Sequence, residues 1–96
     1  MIEIRKTEIY DRWFSALKDR RAVAHINARL RRMALGNPGD VKHVGEGVSE
    51  LCLDFGPGYR IYYTQHSRKV VILLAGGDKS TQKRDIEKAI ELARML

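Results

Sequence analysis

The spacing of apolar residues changes near residue 40. Before it, apolar positions recur every three or four residues; after it, every two. Ile2 and Ile4 alternate with charged neighbours and predict a short strand. Thr7 or Glu8 then opens a helix whose Ile9, Trp13, Phe14 and Leu17 form one apolar stripe. Lys18-Asp19-Arg20-Arg21 reads as a break. A second amphipathic helix follows, with Val23, Ile26, Leu30 and Met33 on its buried side. Gly36-Asn37-Pro38-Gly39 ends it, because glycine suits the position just past a helix and proline cannot continue one.

Val41 to Val44 predicts a short strand and Gly45-Glu46-Gly47 a turn. From Ser49 to Phe55, Leu51, Leu53 and Phe55 alternate with Glu50, Cys52 and Asp54. Gly56-Pro57-Gly58 turns the chain into a return strand over Tyr59 to Gln65. Val70 to Ala75 is apolar throughout, as expected of a central strand. Ser80 or Thr81 is placed to cap a last helix, with Ile86, Ala89, Ile90 and Ala93 as its buried stripe. The predicted order is β-α-α-β-β-β-α. It describes one α+β domain over residues 1–96, an antiparallel meander with helices packed on one face. Setting Phe55 opposite Tyr59 pairs Asp54 with Arg60, Cys52 with Tyr62, Leu53 with Ile61 and Leu51 with Tyr63. One sheet face is then apolar, and the other, expected to stay open, carries Glu50, Cys52, Asp54, Arg60, Tyr62 and Thr64.

Composition adds a direction. The chain has 18 Lys+Arg against 12 Asp+Glu, a formal net charge of +6. Residues 5–32 carry that whole excess, which favours a polyanionic partner. A single cysteine, Cys52, excludes an internal disulfide and a multi-cysteine zinc site. No apolar run is long enough to span a bilayer, and the N-terminus has no apolar signal core, so the expectation is a cytoplasmic protein with no membrane partner.

Arg21, His25, Arg29 and Arg32 recur at helical spacing, so they share one face of the second helix. Four basic groups without an interleaved acid suggest contact with a phosphate backbone, which gives affinity with little sequence choice. The alternative is a solvated helix face. Taken alone, Arg60 reads as half of a cross-strand pair with Asp54 and Lys79 as a solvated turn residue, although both types also bind phosphate. Gly76-Gly77-Asp78-Lys79-Ser80-Thr81 is not a P-loop, since that motif needs glycine directly before the lysine. His25, His43 and His66 are scattered, without a second ligand at metal spacing, so neither metal nor cofactor is expected. Trp13 and Phe14 are expected to anchor the core.

Several segments together resemble a known family. They are Trp13-Phe14 with Leu17-Lys18-Asp19, Ile26 with Arg29-Leu30, and Gly36-Asn37-Pro38-Gly39-Asp40-Val41-Lys42. To these add Gly47-Val48-Ser49-Glu50-Leu51, Gly56-Pro57-Gly58-Tyr59-Arg60-Ile61-Tyr62-Tyr63 and Leu73-Leu74-Ala75-Gly76-Gly77-Asp78-Lys79-Ser80-Thr81-Gln82. In order and nearly end to end, they resemble the HigB-like addiction module killer branch of the RelE/ParE toxin superfamily. The resemblance implies the toxin of a type II toxin–antitoxin pair. Its expected partner is a small helix-turn-helix antitoxin, with operator DNA bound only by the toxin–antitoxin complex. It also implies an endoribonuclease that cuts mRNA, in many relatives on the ribosome, without a metal.

In such cleavage the 2′-hydroxyl attacks the adjacent phosphate, which calls for a proton acceptor, positive charge and a proton donor. By resemblance, Arg60 stabilises the transition state and Lys79 is a second cation. Lys42 is a weaker candidate, as base or phosphate ligand; the base role needs a lowered pKa, which neighbouring cations can supply. Tyr62, on the same predicted face, is a candidate donor. Arg60 is expected to face solvent, so that its removal spares the fold. Branch members usually carry arginine where this chain has Cys52, which leaves open a weakened nucleic-acid-binding homologue. A second alternative is a non-enzymatic toxin that binds a protein target, as the gyrase-inhibiting branch does. The basic helices and the sheet-face cations are expected to form separate surfaces, one for docking and one for cutting.

Overall fold

The computed structural model describes residues 1–96. Thr7 and Asp19 set the starts of the first two helices. The Thr7 hydroxyl accepts from the Tyr10 amide and opens α1 (Glu8–Ser15), while the Asp19 carboxylate accepts from the Arg21 amide and opens α2 (Arg20–Ala34). At the end of α2 the Asn37 amide donates to the Arg32 carbonyl and the Gly36 amide to that of Met33, with Gly36 at φ 92°. That pair of bonds, with a left-handed residue between, is the glycine stop predicted from Gly36-Asn37-Pro38-Gly39.

Five strands form one mixed sheet: β1 (Glu3–Lys6), β2 (Val41–Gly45), β3 (Val48–Cys52), β4 (Arg60–Ser67) and β5 (Val70–Gly77). Their spatial order is β1-β5-β4-β3-β2. The last four make the expected antiparallel meander and match the four segments read from the alternation, one strand more than the order β-α-α-β-β-β-α counts. β1 adds on the far side, parallel to β5, with Ile4 opposite Val71. That makes β5 an interior strand, second from the β1 edge and buried from Val71 to Ala75, as its unbroken apolar run implies.

The β3–β4 register is shifted by two residues from the one expected. Cys52 faces Arg60, Leu51 faces Ile61 and Glu50 faces Tyr62. A shift of two preserves the face of every side chain, so the sorting into two faces holds although the pairs differ. The extra length goes into a wider turn between Leu53 and Tyr59, closed by the Leu53 amide donating to the Tyr59 carbonyl.

Both faces of the sheet are covered. Against one face, Leu51, Leu53, Ile61, Tyr63, Val71 and Leu73 pack on Tyr10, Ile26, Leu30 and Met33, with Trp13, Phe14 and Leu17 at the margin. This is the predicted α1–α2 layer, with two changes: Tyr10, not Ile9, is the fully buried residue of α1, and Ala22, not Val23, is fully buried at the start of α2. Against the other face lies α3 (Gln82–Arg94), whose Ala89, Ile86, Ile90 and Ala93 cover Val48, Tyr62, Ile72 and Leu74. The α+β class and the α1–α2 layer therefore stand as expected. The stripe of α3 is also as expected, but it closes over part of the face expected to remain open.

A register shift in β5 aims its last residues. Tyr62 pairs with Ala75 and Tyr63 with Leu73, leaving Leu74 as an extra residue. Beyond it Gly76 lies under the Trp13 ring and Gly77 against the Asp85 carboxylate, and in both places a Cβ would overlap the neighbour. The two glycines thus let α1 and α3 approach the same strand end from opposite sides.

Candidate active site

The N-terminal end of β4 meets the C-terminal ends of β3 and β5 and the start of β2. α3 starts beside this end of the sheet, with Asp85 against Gly77 and Gln82 bonded to Glu50. A cleft of about 350 Å³ opens there, lined by Asp40, Lys42, Cys52, Leu53, Asp54, Gly56, Pro57, Gly58, Arg60 and Lys79. Three of the four predicted catalytic residues, Arg60, Lys79 and Lys42, therefore share one cleft.

Each reaches it from a different element. Lys42 is exposed on β2, opposite Glu50 of β3. Lys79 opens a 3₁₀ turn (Lys79–Thr81) that leads into α3. Asp78 caps that turn, its carboxylate accepting from the Ser80 amide at 2.8 Å and from the Ser80 hydroxyl. Asp78 thus caps the turn, while Thr81 stands at the N-cap of the last helix (Gln82–Arg94) as expected, its hydroxyl donating to Asp85 and not accepting from a backbone amide. Gly58, at φ +80°, packs between Lys79 and Arg60: a Cβ there would stand 3.1 Å from the Lys79 stem and 3.6 Å from Arg60 Nη1.

Arg60 forms the floor. It is only 8% exposed, which corrects the expectation of a solvent-facing side chain. Its Nη1 donates to the carbonyls of Gly58 and Tyr59 at 3.3 and 3.2 Å. Its Nε lies 3.8 Å from Oε1 of Glu50, an ion pair too long for a hydrogen bond. The partner expected from sequence was Asp54, but the two-residue shift puts Glu50 on the diagonal instead. Nη2 makes no hydrogen bond within the chain and remains for a ligand.

Glu50 is the residue the sequence reading passed over. It is fully buried, its Oε2 accepting from the Tyr62 hydroxyl at 3.0 Å and from Gln82 Nε2 at 2.8 Å. A carboxylate inside an otherwise apolar strand requires such partners, and that was the available signal. Tyr62 is correspondingly lost to the cleft. It is fully buried, and burial followed by the Glu50 hydrogen bond pushes its phenol well above the usual range. That is the wrong direction and the wrong place for a proton donor to a bound substrate. Cys52 is nearly buried at the edge of the cleft, and burial raises its thiol pKa, so it stays protonated.

The basic stripe of α2 divides. Arg21 and Arg32 are exposed and make no ion pair within the chain. Arg29 is half-buried, donating through Nη1 to the Cys52 carbonyl at 2.8 Å and through Nη2 to those of Pro38 and Asp40. It fastens α2 to the cleft wall and is not a free phosphate ligand. His25 stacks on Phe55 with ring centroids 4.3 Å apart. Helix stripe and cleft are therefore joined, not separate surfaces.

No helix is long and apolar enough to cross a membrane. No solved structure matches the chain. An uncharacterized protein of Haemophilus influenzae is 50% identical over 95 residues, covering 99% of this chain and 96% of its own length. Residues 12–96 match the family described as Phage derived protein Gp49-like (DUF891). That span takes in the whole cleft, and the chain belongs to this Gp49-like family, a RelE/HigB-like family of type II toxins.

Proposed function

We propose that this chain is an mRNA endoribonuclease toxin, acting on translated messages and neutralised by a cognate helix-turn-helix antitoxin. The observation that supports it is the convergence of Arg60, Lys79 and Lys42 on one cleft, with Arg60 held at its base. A phosphate in the cleft meets the free Nη2 of Arg60 and the ammonium groups of Lys42 and Lys79. Asp40 and Asp54 also line the cleft.

The chemistry follows from these groups. The 2′-oxygen bonds to the adjacent phosphorus while its proton passes to a carboxylate, Asp54 or Asp40, since carboxylates accept without first losing a proton. Arg60 and Lys42 neutralise the crowded, doubly charged phosphorane. The bond to the 5′-oxygen breaks, and that oxygen takes a proton from the Lys79 ammonium. The products are a 2′,3′-cyclic phosphate and a 5′-hydroxyl. Lys42 serves here as a phosphate ligand, the second of its two expected roles.

Expression without antitoxin, followed by mapping of mRNA 5′ ends, tests the reading. New ends within translated reading frames, absent with Lys79→Ala, are the expected result. Growth arrest with intact messages and a DNA-damage response would overturn it in favour of a protein target.

A further inference from the structure

Phe55 sits in the β3–β4 turn between Asp54 and Gly56, both of which line the cleft. His25 rises from α2 and lies over it, with ring centroids 4.3 Å apart and planes inclined by 28°. Phe55 is half-buried and His25 exposed, so the pair stands at the cleft mouth with its histidine side toward solvent. It belongs to neither core cluster.

The pair is also held in place. One turn further along α2, Arg29 donates to the carbonyls of Cys52, Pro38 and Asp40. Gly39 packs against that guanidinium, a Cβ there falling 3.1 Å from Nη2. These bonds tie α2 to the backbone of Cys52 and Asp40 at the cleft, one turn from the His25 ring. One turn back along α2, Arg21 is exposed and unpaired. A strand that left the phosphate site past Gly56 toward α2 would meet a flat ring and, further along the helix, a cation. Single-stranded RNA is bound in this way, through stacked bases with cations along the backbone.

We propose that His25, backed by Phe55, is a nucleobase-stacking subsite that holds a base next to the phosphate in the cleft. It rests on the RNA-cutting reading for the identity of the strand, but its own claim concerns binding. It assigns His25 a ring contact in place of the phosphate contact expected from the helix stripe. Every base has a π face, so the subsite selects for an unpaired, unstacked nucleotide more than for a particular base.

The test uses the full chain and short 2′-O-methyl RNAs, which cannot be cut because the attacking hydroxyl is blocked. An intact oligonucleotide is compared with versions carrying one abasic position at each place in turn. At one position, loss of the base should weaken binding by the wild-type chain about tenfold, the scale of one stacked base. His25→Phe should keep that discrimination. His25→Ala should lose it while still binding both oligonucleotides through the cations. His25 is exposed, so this variant should fold; its thermal midpoint checks that. Equal binding of intact and abasic RNAs by the wild type overturns the proposal, as does discrimination that survives His25→Ala. Cutting of ordinary RNA, measured in parallel, separates the two readings. Cutting without discrimination removes the subsite alone, and discrimination without cutting removes the enzyme alone.

Discussion

Glu50 and Arg60 meet on the diagonal between β3 and β4, Oε1 to Nε at 3.8 Å, both almost out of reach of water. A buried pair of this kind is costly to break from either side, because the survivor keeps its charge without a counter-charge. Glu50→Ala should destabilise the domain by about 3–5 kcal/mol. Arg60→Ala should also cost stability, against the expectation drawn from sequence. Urea unfolding checks both; a loss below about 1 kcal/mol for Glu50→Ala would mean that solvent already reaches the pair.

Gly77 and Asp85 give a second test. Gly77→Ala places a methyl against the carboxylate and should cost about 1–3 kcal/mol as an overpacked contact. Asp85→Ala alone removes the acceptor for the Thr81 hydroxyl, worth about 1 kcal/mol. The double variant should be more stable than the sum of the two, since the clash and its partner vanish together. Strict additivity in a double-mutant cycle would show that α3 shifts away freely.

Arg29 and Arg21 lie two helical turns apart and should behave oppositely. Arg29→Ala frees carbonyls of Cys52, Pro38 and Asp40 and should cost about 1.5–3 kcal/mol, the scale for bonds to a charged donor. Arg21→Ala should leave stability within about 0.5 kcal/mol. Its effect should appear in RNA binding, as a salt slope shallower by about one unit. An unchanged slope would remove Arg21 from the interface.

The tyrosines predict alkaline lability. Burial is the first cause of a raised phenol pKa at Tyr10, Tyr62 and Tyr63. Their contribution to stability is complete below the ordinary tyrosine value of 10.0 and declines as pH rises beyond it, because the unfolded chain ionises first. Tyr62→Phe should flatten part of that decline while forfeiting the bond to Glu50. Equal slopes for wild type and variant, in unfolding followed from pH 9 to 11, would contradict it.

Cys52 pairs with Arg60 at the lip of the cleft, where the resembling branch usually carries arginine. Cys52→Arg should add a cation to the phosphate site and strengthen growth arrest in cells without antitoxin. Unchanged arrest would mean that three cations already suffice.

Much of this was legible along the chain. The stops at Gly36 and the cap at Thr7 are local, set by residues that act within a turn, and they stand where the sequence put them. The two faces of β3 and β4 were legible because alternation survives a two-residue slip, but the pairing itself was not. The turn is longer than Gly56-Pro57-Gly58 suggests, and nothing in the alternation measures turn length. That slip replaced Asp54 by Glu50 as the partner of Arg60. The cover over Tyr62 was hidden for a different reason. The stripe of α3 says that it buries a face, not which side of the sheet receives it. Arg29 shows the limit of helical spacing: it shares its face with Arg21, yet its Nη1 and Nη2 are engaged by carbonyls at the end of β3 and in the loop after α2.

The parallel pairing of β1 with β5 sets when this molecule can come into being. Glu3 waits for Val70, and β5 is the interior strand that joins β1 to β4. Closing so long a loop makes this pairing slow and late to form. A chain still emerging from its own ribosome, synthesised through Ser67, holds the first two helices and the three strands β2, β3 and β4, and it lacks β5 and Lys79. A truncation there should give the circular dichroism of an unfolded or partly helical chain. The cleft thus cannot be complete until the last third of the chain is translated.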